Sequence, residues 1–173
     1  FSYPSDGRDW PRGLAYGDES LWFSDASGPA YSGAVAELDP SSGEELGRIT
    51  MSWDPVGLGF GDGSLWVLDI TGNTIREYSP DGEQLSSFDY SGPAGTTFGR
   101  GLTYHNGSIW MGNFCESDGC TVSLFEFDTD GQLIQEVAQR TGSPPTGYGG
   151  LTTTETQLLG PDKNGNVTVL REL

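Results

Sequence analysis

Apolar and polar positions alternate along this chain in short runs broken by Gly, Pro, Asn and Asp, which is the two-residue period of a strand and not the 3.6-residue period of a helix. Runs such as Leu65-Trp66-Val67-Leu68 and Thr74-Ile75-Arg76-Glu77-Tyr78 are strand-length and end in turn residues, for example Ser79-Pro80-Asp81-Gly82 and Asp128-Thr129-Asp130-Gly131. In such turns proline presets φ and glycine accepts a positive φ. The pattern predicts many short strands and almost no helix.

The runs repeat. Gly13-Leu14 leads to Trp22 and Asp25, Gly57-Leu58 to Trp66 and Asp69, Gly101-Leu102 to Trp110 and Asn113, and Gly150-Leu151 to Leu159 and Asp162. The interval from glycine to Asp or Asn is 12 residues in every unit, and successive glycines lie 44, 44 and 49 residues apart. Repeats of that length match β-propeller blades and exceed leucine-rich or ankyrin units. Each unit divides into an inner strand at Gly-Leu, a second strand carrying the Trp, a third such as Ala34 to Leu38 or Val122 to Phe127, and a fourth after a tight turn. Apolar residues on both faces let neighbouring blades bury each sheet from two sides. The Trp positions are expected to be core, since a large aromatic at a repeated apolar position packs between blades.

The fourth unit stops after its third strand. Phe1-Ser2-Tyr3 followed by Arg12-Gly13-Leu14 parallels Phe88-Asp89-Tyr90 followed by Arg100-Gly101-Leu102, so the N-terminal residues read as the missing outer strand. Pairing them there would cover both open edges. The expected fold is therefore all-β: one domain over 1–173, a β-propeller of four four-stranded blades (about 11–54, 55–98, 99–147, and 148–173 plus 1–10) closed by the N-terminal strand. Two alternatives share the same pattern: half of an eight-bladed ring formed by a dimer, and a fragment of a larger propeller.

The phrases Pro11-Arg12-Gly13-Leu14-Ala15-Tyr16 with Ser20-Leu21-Trp22-Phe23-Ser24-Asp25, and Gly63-Ser64-Leu65-Trp66-Val67-Leu68-Asp69 with Gly72-Asn73-Thr74-Ile75, resemble blades of the NHL, YVTN and streptogramin-lyase-like propeller superfamily. The resemblance covers nearly the whole chain. It implies the fold and leaves the role open, because such propellers include lactonases, lyases, glycan binders and protein-interaction scaffolds. It differs from them in blade number, since those families usually have five to seven blades or more.

Composition adds constraints. Acidic residues outnumber basic ones 25 to 8, for a formal net charge of −17, with Lys163 the sole lysine. Such a surface repels nucleic acid and anionic lipid. It fits an extracellular protein that meets cations, or one from a halophilic organism. No apolar run is long enough to span a bilayer, so no membrane insertion is expected. A start at Phe1 fits a secreted chain after signal-peptide removal, and equally a trimmed chain or a fragment. Cys115 and Cys120 enclose four residues including Gly119, a loop that a disulfide could staple; a metal pair lacks further Cys or His nearby. Asn106-Gly107-Ser108 and Asn166-Val167-Thr168 are glycosylation sequons.

Propeller topology places two residue sets on one rim. Trp10, Arg12, Trp53, Asp54, Phe98, Arg100 and Tyr148, just ahead of the Gly-Leu positions, suit a sugar, peptide or small polar ligand, or else pack the blade junctions. Asp25, Asp69, Asn113 and Asp162, one per blade, are either oxygen ligands for a cation such as Ca²⁺ or caps of their own hairpins. His105, the only histidine, falls on the opposite rim, which removes a His-dependent lyase, a His-ligated zinc site and a Ser-His-Asp set from this one. The expected function is a secreted, non-enzymatic module that binds a glycan, peptide or protein partner, with homo-oligomer assembly as an option and Ca²⁺ as the candidate cofactor. The alternative is a metal-dependent hydrolase or lyase of the lactonase-like type, using Asp25, Asp69, Asn113 or Asp162 without an identified base.

Overall fold

A computed structural model describes residues 11–25, 33–90, 98–115, 121–141, 146–147, 150–161 and 167–173. Among them there are strands and turns and no helix. Blade 1 comprises β1 (Pro11–Gly17), β2 (Ser20–Asp25), β3 (Gly33–Leu38) and β4 (Glu45–Met51). Blade 2 comprises β5 (Pro55–Gly61), β6 (Ser64–Asp69), β7 (Thr74–Tyr78) and β8 (Gln84–Asp89). Blade 3 is β9 (Phe98–His105), β10 (Ser108–Cys115), β11 (Thr121–Asp128) and β12 (Leu133–Thr141), with short β13 (Thr146–Gly147) added beside the end of β10. Blade 4 is β14 (Thr152–Thr153), β15 (Gln157–Pro161) and β16 (Val167–Glu172). Each sheet is an antiparallel meander, and together they form a four-bladed β-propeller. The expected closing strand lies outside the described residues, as do Trp10, Tyr148, Asp162 and Cys120.

The turns between first and second strands explain why consecutive strands fold back at these points. A two-residue hairpin of type I′, whose twist matches that of its strands, needs positive φ at both central residues. Blade 2 uses Asp62 and Gly63 (φ 50° and 78°), blade 3 Asn106 and Gly107 (φ 46° and 84°), and blade 1 Asp18 and Glu19 (φ 53° and 61°). Glu19 thus holds a left-handed conformation that the other two blades give to glycine.

The core lies between blades, as expected for the repeated Trp. Trp22, Val35 and Met51 of blade 1 meet Leu58, Leu65, Val67 and Tyr78 of blade 2. Trp66, Leu68 and Ile75 of blade 2 meet Leu102, Ile109, Met111 and Phe125 of blade 3. Trp110, Val122 and Leu124 of blade 3 meet Leu151 and Leu158 of blade 4. Trp22, Trp66 and Trp110 are 1–2% exposed.

Close approach of the inner strands explains the repeated glycine. A Cβ on Gly13 would stand 2.8 Å from the Leu58 nitrogen of β5, and one on Gly57 would stand 2.9 Å from Leu102 Cβ and 3.0 Å from the Leu102 nitrogen of β9. Only a residue without a side chain lets neighbouring inner strands come this near.

Candidate functional site

Strand register defines the rim. Pro11 pairs with Asp25, Pro55 with Asp69, and Gly99 with Asn113, so the residues ahead of each Gly-Leu share one end of the propeller with the repeated Asp or Asn. His105, paired with Ser108 at the β9–β10 turn, is at the other end.

Along the axis runs a cavity of about 790 Å³ lined by the inner strands of all four blades: Arg12 to Tyr16, Gly57 to Phe60, Arg100 to Tyr104 and Gly150 to Thr153. Its walls are largely glycine, leucine and aromatic groups, whereas Arg12 and Arg100 bring guanidinium charge to it. Beside them, at the entry to β5, is Asp54. Its Oδ1 is buried and has no hydrogen-bond partner among the described residues. Burial pushes the Asp54 carboxyl above its ordinary range, opposed by the charges of Arg12 and Arg100 and reinforced by Asp69. The rim is therefore a mixed-charge mouth on an apolar channel, in a chain whose overall charge is strongly negative.

Other residues of the first predicted set divide between mouth and packing. Trp53 packs on the core between blades 1 and 2, with its ring 6.5 Å from that of Tyr78 and the Arg76 guanidinium 5.1 Å above it. Phe98 begins β9, paired with Phe114. Trp10 and Tyr148 lie outside the described residues. Arg12, Asp54 and Arg100 are the members whose charges interact.

The second set occupies equivalent places and does different work in each. Asp69 Oδ1 accepts from the Thr71 amide (2.9 Å), the Thr71 hydroxyl (2.6 Å) and the Gly72 amide (3.0 Å), while Oδ2 accepts from Arg76 Nη2 at 3.0 Å. Asn113 Oδ1 accepts from the Ser123 amide at 2.7 Å and so ties β10 to β11. Asp25, 3% exposed, faces Arg48 of β4 at 3.8 Å. Among the described residues, no three His, Cys, Asp or Glu side chains gather as a metal ion would need. Asp162 lies outside those residues, as does Cys120; Cys115 closes β10. Sequence reasoning missed Arg76 and Arg48 as partners of the repeated carboxylates. A signal existed for Arg76, because it is a cation on a third strand where blade 1 has small apolar residues.

No protein-family model matches the chain, and no curated protein matches it. Solved structures do. The chain is similar to Myxococcus xanthus glutaminyl cyclase (21% identity, TM-score 0.68, covering 91% of this chain and 63% of that one). It is also similar to streptogramin B lyase (23%, TM-score 0.60, 98% and 50%) and to a chain of a nidogen–laminin complex (18%, TM-score 0.68, 92% and 59%). The chain thus spans 50–63% of the length of these three. At these identities the likeness concerns the fold alone, which is a β-propeller. Enzymes and a partner-binding protein both occur among the neighbours, so fold alone assigns no role.

Proposed function

We propose that the chain is a non-enzymatic binding module whose axial mouth takes a polar ligand bearing a carboxylate, such as an acidic peptide segment or a uronic-acid glycan. The observation that carries this reading is that Arg12 and Arg100 both line one end of a cavity of about 790 Å³ with largely apolar walls, with Asp54 near enough for both guanidinium charges to act on it. A guanidinium presents paired N–H donors that match a carboxylate in two parallel hydrogen bonds. The apolar wall behind it suits the ring or aliphatic part of the same ligand. Ca²⁺, secretion and a halophilic source remain outside this reading.

Asp54 gives the site a pH dependence. Protonating its carboxyl removes the negative charge that faces both Arg12 and Arg100, so binding of an anionic ligand strengthens as pH falls through the raised Asp54 range. Calorimetric titration with glucuronic acid and with a glutamyl-glutamate dipeptide tests the proposal. Binding is expected for wild type and lost in Arg12→Gln/Arg100→Gln at unchanged melting temperature. Equal binding by that variant, or no binding of either probe at any pH from mildly acidic to neutral, would overturn it.

A further inference from the structure

The junction of blades 2 and 3 carries a second pocket, at the end of the propeller opposite the Arg12 and Arg100 mouth. Its volume is about 300 Å³, and Asp62, Trp66, Glu77, Ser86, Tyr104 and Asp130 line it. Asp62 sits in the β5–β6 turn, Glu77 near the end of β7, and Asp130 in the β11–β12 turn. That last turn lies close on β8, because Gly131 has φ 84° and a Cβ there would run into the Phe88 ring. Asp130 of blade 3 thereby reaches the same pocket as the carboxylates of blade 2.

Three carboxylates and no basic side chain line this pocket. None of the ion pairs among the described residues involves Asp62, Glu77 or Asp130. Asp62 Oδ2 accepts from the Tyr104 hydroxyl at 2.6 Å and Glu77 Oε2 from the Ser86 hydroxyl at 2.8 Å, so each carboxylate keeps a second oxygen for another donor. Burial pushes the Tyr104 hydroxyl up to about 12, helped by its bond to Asp62 and by the charges of Asp62 and Glu77, which therefore act at one place. Among the described residues no three acidic side chains gather as a metal ion would need, so these charges surround a space larger than a bare ion.

An independent observation marks the pocket. Trp66 is 2% exposed, and its indole Nε1 is buried with no hydrogen-bond partner among the described residues. Trp22, the equivalent residue of blade 1, donates from Nε1 to the Gly17 carbonyl at 3.1 Å. Both indoles stack on a ring of the next blade, Trp22 on Phe60 and Trp66 on Tyr104, each at 6.3 Å between centroids. The rings are held alike, yet only one donor is satisfied. A buried donor without a partner is costly, and a bound molecule that supplies an acceptor removes the cost. Glu77 pairs with Trp66 across β6 and β7, so the two side chains leave the same face of the sheet and the missing acceptor lies beside the negative charge.

We propose that this pocket binds a protonated amino sugar. The ammonium group sits among Asp62, Glu77 and Asp130, and a sugar oxygen accepts from Trp66 Nε1. The pocket calls for a cation and an oxygen acceptor within one small volume. A guanidinium or a simple alkylammonium has donors only, and a neutral hexose brings no charge to three carboxylates. An amino sugar carries its ammonium and a hydroxyl on adjacent carbons. The net charge of −17 also draws such a cation from solution.

Calorimetric titration of the full chain with glucosamine, glucose and ethylammonium tests this, at near-physiological salt so that diffuse attraction is screened. Saturable one-to-one binding of glucosamine is expected, tighter than either other probe by about tenfold or more, the worth of one hydrogen bond to a charged group. Asp130→Asn, at an exposed turn position, and Glu77→Gln are each expected to weaken it by about the same factor at unchanged melting temperature. Asp81→Asn, the equivalent turn residue at the junction of blades 1 and 2, removes the same charge and is expected to leave binding as it was. Glucosamine that fails to bind means that water alone serves the indole, and overturns the proposal. Equal affinity for glucose or for ethylammonium overturns it too, since charge or acceptor would then be irrelevant. So does binding that survives both carboxylate variants, or that falls equally with Asp81→Asn.

Discussion

If inner strands approach each other only because glycine faces the next blade, adding one methyl group at Gly57 must push blade 3 away. The Cβ of Gly57→Ala would lie 2.9 Å from Leu102 Cβ, 3.0 Å from the Leu102 nitrogen and 3.1 Å from the Arg100 carbonyl oxygen. All three belong to the core of β9, two of them to its backbone, so no flexible side-chain tip can yield. Overpacking of this kind costs about 1–3 kcal/mol. Against it stands a gain of about 0.4–1 kcal/mol from restricting the unfolded chain. The net loss of about 1–2 kcal/mol corresponds to a fall in melting temperature of about 2–8 °C for a chain of this length. Gly47→Ala is the control: among the described residues its new methyl would meet the Glu37 side chain, Oε2 at 3.1 Å and Cβ at an ordinary 3.9 Å, and the carboxylate end needs to give by only a few tenths of an ångström. Thermal melts followed by circular dichroism, with urea titrations for the free energies, compare the two. Gly57→Ala is expected to melt below wild type, and Gly47→Ala at or slightly above it. If Gly57→Ala melted with Gly47→Ala, the close approach of β5 and β9 would be wrong.

Three further outcomes follow from the same contacts. Glu19→Gly is expected to stabilise the protein by about 0.5–1 kcal/mol, because Glu19 occupies a left-handed conformation (φ 61°) in which blades 2 and 3 have glycine; an unchanged urea midpoint contradicts the turn assignment. Asp69→Ala strips the carboxylate from the Thr71–Gly72 turn and leaves Arg76 without its 3.0 Å partner, a loss of about 3–5 kcal/mol for a broken buried pair; the same fall with and without Ca²⁺ marks a hairpin role, and a fall seen only with Ca²⁺ marks a ligand. Burial pushes the Tyr90 and Tyr104 phenols from 10.0 up to about 12. Folded phenols that hold their protons longer than unfolded ones give stability that is complete below pH 10.0 and lost as pH rises towards about 12. Phenolate absorbance should therefore show Tyr90 and Tyr104, with Tyr78 also raised by its burial, titrating late and together with unfolding, whereas ordinary titration of all seven tyrosines before any unfolding contradicts the burial of these three.

Much of the architecture could be read from residues alone because its signals are local. The constant spacing from glycine to Asp or Asn fixes where the inner strand starts and where the second ends, and β1, β5 and β9 all begin just ahead of their glycines. Trp22, Trp66 and Trp110 are buried for the reason their repetition suggested. The repeated Asp and Asn were legible only in part: Asp69 holds its own Thr71–Gly72 turn, as the cap reading has it, but the constant spacing does not distinguish its second partner Arg76 from the Ser123 amide that Asn113 takes or from Arg48 of the fourth strand, which faces Asp25. The different surroundings of equivalent inner-strand residues were equally illegible. Gly13-Leu14 and Gly57-Leu58 are the same two letters, yet Leu58 is covered by blade 1 while Leu14 has no preceding blade against it among the described residues. Of the candidate ligand set, Arg12 and Arg100 line the cavity and their charges act on Asp54, and Trp53 packs a blade junction.

The account rests on a mouth at one end of a shared axis, and amide chemical shifts locate a bound molecule directly. In a titration of the labelled chain with glutamyl-glutamate, the shifted amides are predicted to cluster at Arg12, Gly13, Asp54, Arg100 and Gly101, with His105 to Gly107 unmoved. Shifts centred on His105 to Gly107, or scattered over the outer strands β4, β8 and β12, would contradict it.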